Sequence, residues 1–339
     1  MRPGENRQKE EPELGAVREF MLKHYRHFNA RETVAAAEAY EAFLARGGKM
    51  LVSLAGAMST GELGIILARM IRAGKVHAIS CTGANLEEDV FNLVAHRDYK
   101  IVPDWRGLSA EAEKELFEQG FNRVTDTCIP ETVMKHLEVR LLERWQEASK
   151  EGVRKFPAQY LFDILRSGEL KPHYQIDPQH SWMLAAAELN LPVWAPGWED
   201  STTGNMFAAH AMKGDLPNHD CVLPGTAQFA DVTQWYLDHC GHKTPGPGVG
   251  FFQIGGGIAG DFAICVTPSI IVDHGIENIP FWNYFCQISD AVTSYGGYSG
   301  AVPNEKITWA KLDVQTPKFM IQSDATIVAP LIFAYLLGD

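Results

Sequence analysis

The alternation of apolar runs, small-residue turns and helical patterns constrains the fold of this chain more than any other feature of its sequence. An apolar run at 50–55 leads into the small residues 56–61 and then into a helical pattern at 62–73. A second apolar run at 76–81 leads into the turn 82–85 and another helical pattern. Such repeats are typical of a parallel sheet with helical crossovers, which binds ligands at the carboxyl ends of its strands.

The second half of the chain repeats this alternation. We predict further strands at 191–195, 249–254, 285–292 and 318–322, a loop and short strand at 217–224, and helices at 227–239 and 325–337. The predicted fold class is α/β, with a Rossmann-like, mostly parallel sheet, flanking helices and an N-terminal helical extension. Because the candidate turns are spread along the chain, we predict one large domain at 29–339, preceded by a tail and helix at 1–28.

The N-terminal and middle segments are predicted to surround this sheet. Residues 1–13 are charged and contain two prolines, which indicates a disordered or loosely docked tail. Apolar residues recur at helical spacing over 14–28 and 31–46, with Asn29 as a cap between two helices. The amphipathic run 109–168 predicts a helical scaffold or subunit interface.

Composition and charge argue against several classes of protein. The chain has 339 residues, 46% of them hydrophobic, but no long apolar run and no signal-like start, which predicts a cytoplasmic protein without a membrane span. A net charge of −12 without a basic stripe argues against a nucleic-acid partner. The six cysteines form no Cys-x-x-Cys pair, and the histidines near Gly241 lack a second ligand pair, so no metal site is predicted.

The glycines and the acidic residues of the predicted turns each allow two interpretations. The run 255–260 matches Gly-x-Gly-x-x-Gly between a strand and a helix, which indicates either a dinucleotide contact or a tight turn. The acidic run 87–89 follows the turn at Thr82. These acids either stabilise a helix N-terminus or bind an amine and accept its proton. Asp200, in the third such turn, has the same two interpretations.

The loop 294–312 places a carboxylate, an indole and an amine close together in sequence, as Glu305, Trp309 and Lys311. Its small and flexible residues are typical of a loop. A lysine just behind a tryptophan can be desolvated, which lowers its pKa toward the nucleophilic range. The alternative is a packed indole beside a solvated ammonium.

Together these motifs resemble the deoxyhypusine synthase family and its homospermidine synthase relatives, from about residue 28 to the C-terminus. The similar segments are Ser299-Gly300-Ala301, Pro303, Glu305 and Trp309-Ala310-Lys311, then Thr82-Gly83-Ala84 with Glu87-Glu88-Asp89, Gly255-Gly256-Gly257 and Ser323-Asp324-Ala325. The first group looks like the family's segment around its catalytic lysine, which places that lysine on Lys311.

The resemblance implies a homotetramer with NAD and polyamine sites shared between paired subunits. The implied NAD contacts are Ala55, Gly56, Met58, Ser59, Thr82, Gly83, Ala84, Glu88, Asp200, Gly256, Asp290, Ala291, Asp324 and Ala325. In the implied reaction, NAD takes a hydride from the carbon beside an amine, and Lys311 attacks the resulting imine and holds the aminobutyl group. An acceptor amine then displaces the lysine and the hydride returns, so the net reaction is redox-neutral.

Several positions depart from the family pattern. Asp261 stands where the family has a histidine, Asn205 and Tyr298 stand where aspartates grip spermidine, and Gly56 replaces an asparagine. A hydrogen bond to a charged group contributes about 1.5–3 kcal/mol, so spermidine cannot be held in the usual way, although Tyr298 could offer its hydroxyl or its ring face. We predict Lys311, Glu88 and Asp261 as catalytic residues, and Glu87, Asn205, Tyr298, Glu305 and Trp309 as substrate contacts.

Three functions fit these features. The leading prediction is an NAD-dependent transferase of the deoxyhypusine synthase type that passes an aminobutyl-type group to a small amine in polyamine metabolism. The second is modification of a protein lysine, as in true deoxyhypusine synthase. The third is a catalytically weak paralogue that binds NAD or an amine, which the replacement of the histidine by Asp261 motivates.

Overall fold

The computed structural model describes residues 15–293 and 296–339, so the predicted tail at 1–13 lies outside the described residues, as do Ser294 and Tyr295 of the lysine loop. The strands are β1 (Lys49–Leu54), β2 (Ala78–Cys81), β3 (Lys100–Ile101), β4 (Phe121–Val124), β5 (Thr127–Pro130), β6 (Val193–Trp194), β7 (Val249–Ile254), β8 (Tyr284–Ser289) and β9 (Lys318–Gln322). The helices are α1 (Ala16–His24), α2 (Phe28–Ala45), α3 (Gly64–Arg72), α4 (Gly83–Ala95), α5 (Ala110–Glu118), α6 (Thr132–Glu151), α7 (Pro157–Ser167), α8 (Trp182–Leu189), α9 (Thr202–Lys213), α10 (Gly225–His239), α11 (Gly257–Ile264), α12 (Val266–Val272), α13 (Glu305–Thr308) and α14 (Ala325–Leu337).

Six strands form one parallel sheet in the order β6-β2-β1-β7-β8-β9. The chain builds outward from β1 through β2 to β6, and then returns to place β7 on the other side of β1. Ligands of open α/β sheets bind where the strand order reverses in this way, outside the carboxyl ends of the strands. The predicted fold class is confirmed, and the point of reversal lies between β1 and β7.

Alternate residues of the central strands enter two separate hydrophobic layers. All six residues of β7 are buried. Phe252 and Ile254 belong to one apolar cluster, whereas Phe251 belongs to the other, together with Leu51 of β1. A strand covered by helices on both faces reads as a continuous apolar run rather than an alternating one, which is why its position could be predicted from the sequence.

A second, three-stranded antiparallel sheet, in the order β3-β5-β4, shows that the all-helical prediction for 109–168 was wrong. Helices α5, α6 and α7 are present there, but β4 and β5 form a hairpin between α5 and α6. Its connecting residue Thr125 has φ 56°. The turn lacks the Asn-Gly or Asp-Gly pair that marks a two-residue hairpin, so the sequence carries no strong signal for it.

Two smaller predictions about element boundaries were also wrong. Asn29 does not cap a helix: it lies inside α2, and its side-chain amide donates to the carbonyl of Gln322 at 2.9 Å. The segment 217–224 contains no strand in the described chain, and its Val222 forms only an isolated bridge with Lys155. By contrast, β7, β9 and α14 begin and end where they were predicted.

Candidate active site

Lys311 is buried in a cavity of about 290 Å³ between the loop after β8 and helix α11. Only 7% of its surface is exposed, and its Nζ atom lies 2.8 Å from Oδ1 of Asp261. The same atom lies 5.4 Å from the ring centre of Tyr298 and 5.9 Å from that of Trp309. The fold therefore brings together four residues that the sequence predicted as functional.

Asp261 connects this buried amine to the protein surface. It lies on α11, which begins directly after the glycine turn that ends β7. Its side chain is 46% exposed, and Cys265 donates from Sγ to the same carboxylate at 3.4 Å. A carboxylate that contacts both Lys311 and solvent can accept a proton from the amine and release it to water.

The structure shows the opposite of the alternative interpretation, which was a packed indole of Trp309 beside a solvated ammonium of Lys311. The ammonium is buried, whereas Trp309 is 63% exposed. Ala310 between them has φ 54°, its N–H donates to Ile307, and the N–H of Lys311 donates to the carbonyl of Lys306. This pair of bonds is a Schellman motif, which ends α13 and turns the chain. Glu305, on α13, is exposed at the cavity.

Tyr298 already has partners within the chain for both of the groups that it was expected to offer a substrate. Its hydroxyl donates to Oε1 of Gln253 at 2.7 Å. Its ring lies 4.9 Å from Nζ of Lys306 as well as 5.4 Å from Nζ of Lys311. A direct role for Tyr298 in binding substrate stays a prediction, but in this structure the side chain is part of the cavity wall.

Lys306 is a cavity residue that sequence reasoning missed. It is 2% exposed, and its Nζ lies between the rings of Tyr298 and Phe285, 4.9 and 5.0 Å from their centres. Burial, reinforced by the charge of Lys311, lowers the pKa of Lys306 to about 8. In the sequence it follows Glu305 and looks like a solvated charge, so only the packing around it shows its position.

The glycine turn after β7 packs tightly against the loop that carries the lysines. A Cβ atom at Gly256 would lie 2.0 Å from Oγ of Ser299, and that hydroxyl accepts a hydrogen bond from the N–H of Gly257 at 3.2 Å. The structure therefore bears out a tight turn. The other interpretation, a dinucleotide contact at Gly256, stays a prediction.

The acidic run 87–89 does not lie at a helix start, because α4 begins at Gly83 rather than at residue 86. Both carboxylate oxygens of Glu87 accept N–H groups at the start of α9, from Thr202 at 2.9 Å and Thr203 at 2.8 Å. Asp89 likewise accepts from residues at the start of α8. The acids therefore stabilise helix N-termini other than their own, and substrate binding by Glu87 stays a prediction.

Glu88 lies between Glu87 and Asp89 in the sequence, and one of its carboxylate oxygens accepts no hydrogen bond from the described residues. It is buried, and its Oε2 has no hydrogen-bond partner among residues 15–293 and 296–339. Burial, reinforced by the Glu87 carboxylate, raises the pKa of Glu88 to about 7. A buried carboxyl group with a free oxygen and a pKa near neutrality is suited to proton transfer.

The residues predicted to contact a cofactor lie at the carboxyl edge of the sheet. They follow β1 (Ala55, Gly56, Met58, Ser59), β2 (Thr82, Gly83, Ala84), β6 (Asp200), β7 (Gly256), β8 (Asp290, Ala291) and β9 (Asp324, Ala325). Because all six strands are parallel, their carboxyl ends meet at one edge. Three of them are buried, Ser59, Gly83 and Gly256, and the hydroxyl of Ser59 lies between Asn85 and the indole N–H of Trp182.

A second cavity, of about 800 Å³, opens at this edge beside Met58 and Asp324. It is separate from the lysine cavity, and no described residue lines both. Asn205, predicted as a substrate contact, lies at neither: it is exposed on α9 and donates to the carbonyl of Glu199 at 2.8 Å. One copy of the chain thus does not bring all the predicted substrate and cofactor residues into one cavity.

Across 15–293 and 296–339, no three or more histidine, cysteine or acidic side chains are grouped so that they could hold a metal ion. None of the helices in the same ranges combines the length and apolarity needed to cross a membrane.

Comparison with known proteins identifies the family. The sequence model described as deoxyhypusine synthase matches residues 20–336 of this chain. The chain belongs to the deoxyhypusine synthase family. Family membership confirms the resemblance seen in the sequence, and it implies a transferase.

Curated and solved members of this deoxyhypusine synthase family match most of the chain. A deoxyhypusine synthase-like protein from Thermosynechococcus vestitus is 30% identical over 294 residues, which cover 85% of this chain and 69% of the relative. Probable deoxyhypusine synthase 2 from Archaeoglobus fulgidus is 26% identical over 289 residues, covering 85% and 87%. A structure from Entamoeba histolytica assigned as a deoxyhypusine synthase has a TM-score of 0.55 at 13% identity, covering 91% of this chain and 87% of that one, which shows a shared fold.

Proposed function

We propose that this chain is an NAD-dependent transferase that takes an aminobutyl-type group from an amine donor, holds it on Lys311 and passes it to a small amine acceptor. The observation that carries the proposal is the buried Nζ of Lys311, 2.8 Å from Asp261. Family membership supports the reaction type. A covalent lysine intermediate divides one difficult transfer into two easier steps.

The roles proposed for the chain's own residues follow from their contacts. Asp261 takes the proton from Nζ of Lys311, which frees the lone pair of the amine to attack an imine carbon. The exposed part of the Asp261 carboxylate then returns that proton to water or to the departing amine. The rings of Tyr298 and Trp309 exclude water from one side of Nζ, which protects a lysine imine from hydrolysis.

The residues at the reversal point fit a bound dinucleotide. Gly56 has φ 59°, and a Cβ there would meet nothing nearer than Cε of Met58 at 3.9 Å, so backbone faces open space. A Cβ at Gly257 would meet none of the described residues within 4 Å. Glycines of this kind allow a pyrophosphate to approach the backbone closely. When bound, NAD supplies a hydride acceptor for the carbon beside the donor amine, and Glu88 and Asp324 are the acidic residues proposed to lie beside it.

We also propose that two copies of the chain share each complete site. The lysine cavity contains Lys311, Asp261 and Glu305, whereas Met58 and Asp324 line the separate 800 Å³ cavity. A second copy that places its own crevice against the lysine cavity would unite the two sets. The homotetramer implied by the family resemblance supplies such an arrangement.

The test is chemical trapping of the lysine intermediate. The full chain is incubated with NAD and a panel of diamines, polyamines and ω-amino acids, reduced with borohydride, and digested for mass spectrometry. We expect an adduct on the peptide that carries Lys311, dependent on NAD. The variant Lys311→Arg should give none, while Lys114→Met, which removes an exposed lysine on α5, should behave as the parent. Absence of an adduct with every amine would refute the proposal.

A further inference from the structure

The lysine cavity holds a second buried cation that the proposed reaction does not use. Lys306 lines the same cavity as Lys311, and its Nζ donates to the carbonyl of Ala301 at 3.3 Å. A lysine ammonium has three donors, and this is its one hydrogen bond within 15–293 and 296–339. Two N–H groups of a cation that is 2% exposed are thus available to a ligand in the cavity.

The charges around Lys306 do not compensate it. Asp261 lines the cavity, but its carboxylate is paired with Lys311 at 2.8 Å. Glu305 acts on Lys306 from an exposed position, and within the described chain no carboxylate lies within ion-pair distance of the Lys306 ammonium. A buried charge without a partner is unfavourable, so an anionic group in the cavity would be stabilised there.

For the opposite kind of ligand, a second ammonium, the described residues of this copy offer no acid beside Tyr298, since Asp261 is paired with Lys311 and Glu305 is exposed. Tyr298, at one of the positions where the resemblance places an acid, directs its hydroxyl to Gln253 and its ring to Lys306 and Lys311. The cation–π positions of that ring are thus occupied by the protein's own lysines. A diamine or polyamine would bring its far ammonium toward two cations.

We propose that the amine substrate of this cavity also carries a carboxylate, which binds the Lys306 ammonium while the amine end lies at Lys311. The substrate class is therefore an ω-amino acid rather than a diamine or polyamine, so the group held on Lys311, after the donor nitrogen leaves as ammonia, would be a carboxyalkyl group in place of an aminobutyl group. This inference rests on the proposed function for the position of the amine end. The lowered pKa of Lys306, about 8, still leaves the ammonium largely protonated near neutral pH.

The experiment compares matched ligands by calorimetry on the full chain, with and without NAD. The ligands are ω-amino acids of three to six carbons, diamines of equal length and 1-aminobutane. We expect at least one ω-amino acid to bind about tenfold more tightly than its matched diamine, because its carboxylate accepts a charge-assisted hydrogen bond from Lys306 whereas the far ammonium of the diamine is repelled. Lys306→Met should remove this preference, while Lys114→Met should keep it.

The possible outcomes test the proposed substrate class and the proposed transferase activity independently of each other. Diamines that bind as tightly as amino acids, a preference that survives in Lys306→Met, or no binding of any ligand would each overturn it. A melting curve of every sample establishes that the variants are folded. Trapping of a diamine on Lys311 without any preference for carboxylates would leave the proposed transferase standing and refute the substrate class. Lys306-dependent binding of an ω-amino acid without a trapped adduct on Lys311 would support the substrate class and refute the proposed transferase.

Discussion

Lys311 and Asp261 form a 2.8 Å ion pair although they are 50 positions apart in the chain. Strand β7 and helix α11 carry Asp261 to the carboxyl edge of the sheet, and the segment after β8 returns Lys311 to the same point. The pair joins an amine that can attack with a carboxylate that can take its proton. We propose that Asp261 does the work that the family resemblance assigns to a histidine.

Replacement of Asp261 tests this assignment. Asp261→Asn should slow the formation of the trapped Lys311 adduct by about 100- to 10,000-fold, because a positioned general base is lost while the side chain keeps its size. Asp261→His should recover part of the rate. The measurement is the time course of adduct formation across pH, with Glu118→Gln, an exposed carboxylate on α5, as control. Equal time courses for Asp261→Asn and the parent would contradict the role.

Lys306 should lower the stability of the folded chain. Its pKa falls from 10.5 to about 8 on burial, so the folded state binds fewer protons than the unfolded state between those values. Lys306→Met should therefore raise the free energy of unfolding by about 2–3 kcal/mol below pH 8, and the gain should vanish by about pH 10.5. Denaturant unfolding at pH 7 and pH 10 measures both values. The exposed control Lys114→Met should leave the free energy of unfolding unchanged at both pH values. If Lys306→Met is less stable than the parent at pH 7, the buried charge is compensated.

The effect of Glu88 on the free energy of unfolding should depend on pH in the opposite direction to that of Lys306. Its pKa rises from 4.5 to about 7, so the folded state binds more protons than the unfolded state between these values, and the cost of the buried charge is complete above pH 7. Glu88→Gln should stabilise the chain by about 2–3 kcal/mol at pH 8 and by almost nothing below pH 4.5.

Glu87→Gln is the matched control, because Glu87 has the same side chain with both oxygens bonded to Thr202 and Thr203. It should destabilise the chain by about 1–3 kcal/mol, since an amide group would face an N–H donor. Thermal and denaturant unfolding at pH 4.5 and pH 8 check both variants. A loss of stability in Glu88→Gln at pH 8 would show that its second oxygen has a partner.

Ala310 should carry backbone strain at the end of α13. It occupies the left-handed position of the Schellman motif, with φ 54°, where glycine is the usual residue. Ala310→Gly should stabilise the chain by about 1 kcal/mol, because the left-handed conformation costs an L-residue about that much. Ala112→Gly, within α5, should instead destabilise it by about 0.5–1 kcal/mol. If both substitutions destabilise the chain equally, Ala310 is not strained.

The elements that could be predicted from the sequence are those whose signal is local. Strand β7 is a continuous apolar run, and α14 begins after the capping residue Asp324, so the bounds of both were predicted correctly. The hairpin of β4 and β5 was missed because its turn has no glycine and its strands are four residues each. Lys311 could be singled out because the segment from Ser299 to Lys311 resembles the family's segment around its catalytic lysine, whereas its spacing from Glu305 and Trp309 alone left two interpretations open.

The sequence by itself determined the parallel sheet and the family, and it placed the proposed nucleophile on Lys311, because strand patterns, turns and short motifs consist of consecutive residues. Only the tertiary structure decided which charges are paired. It joined Asp261 to Lys311, directed Tyr298 toward Gln253 and bound Glu87 to α9, and it buried Lys306 without an ion-pair partner among the residues that the structure describes. These outcomes depend on burial and on contacts between distant segments, and the free energy of a charge depends on both.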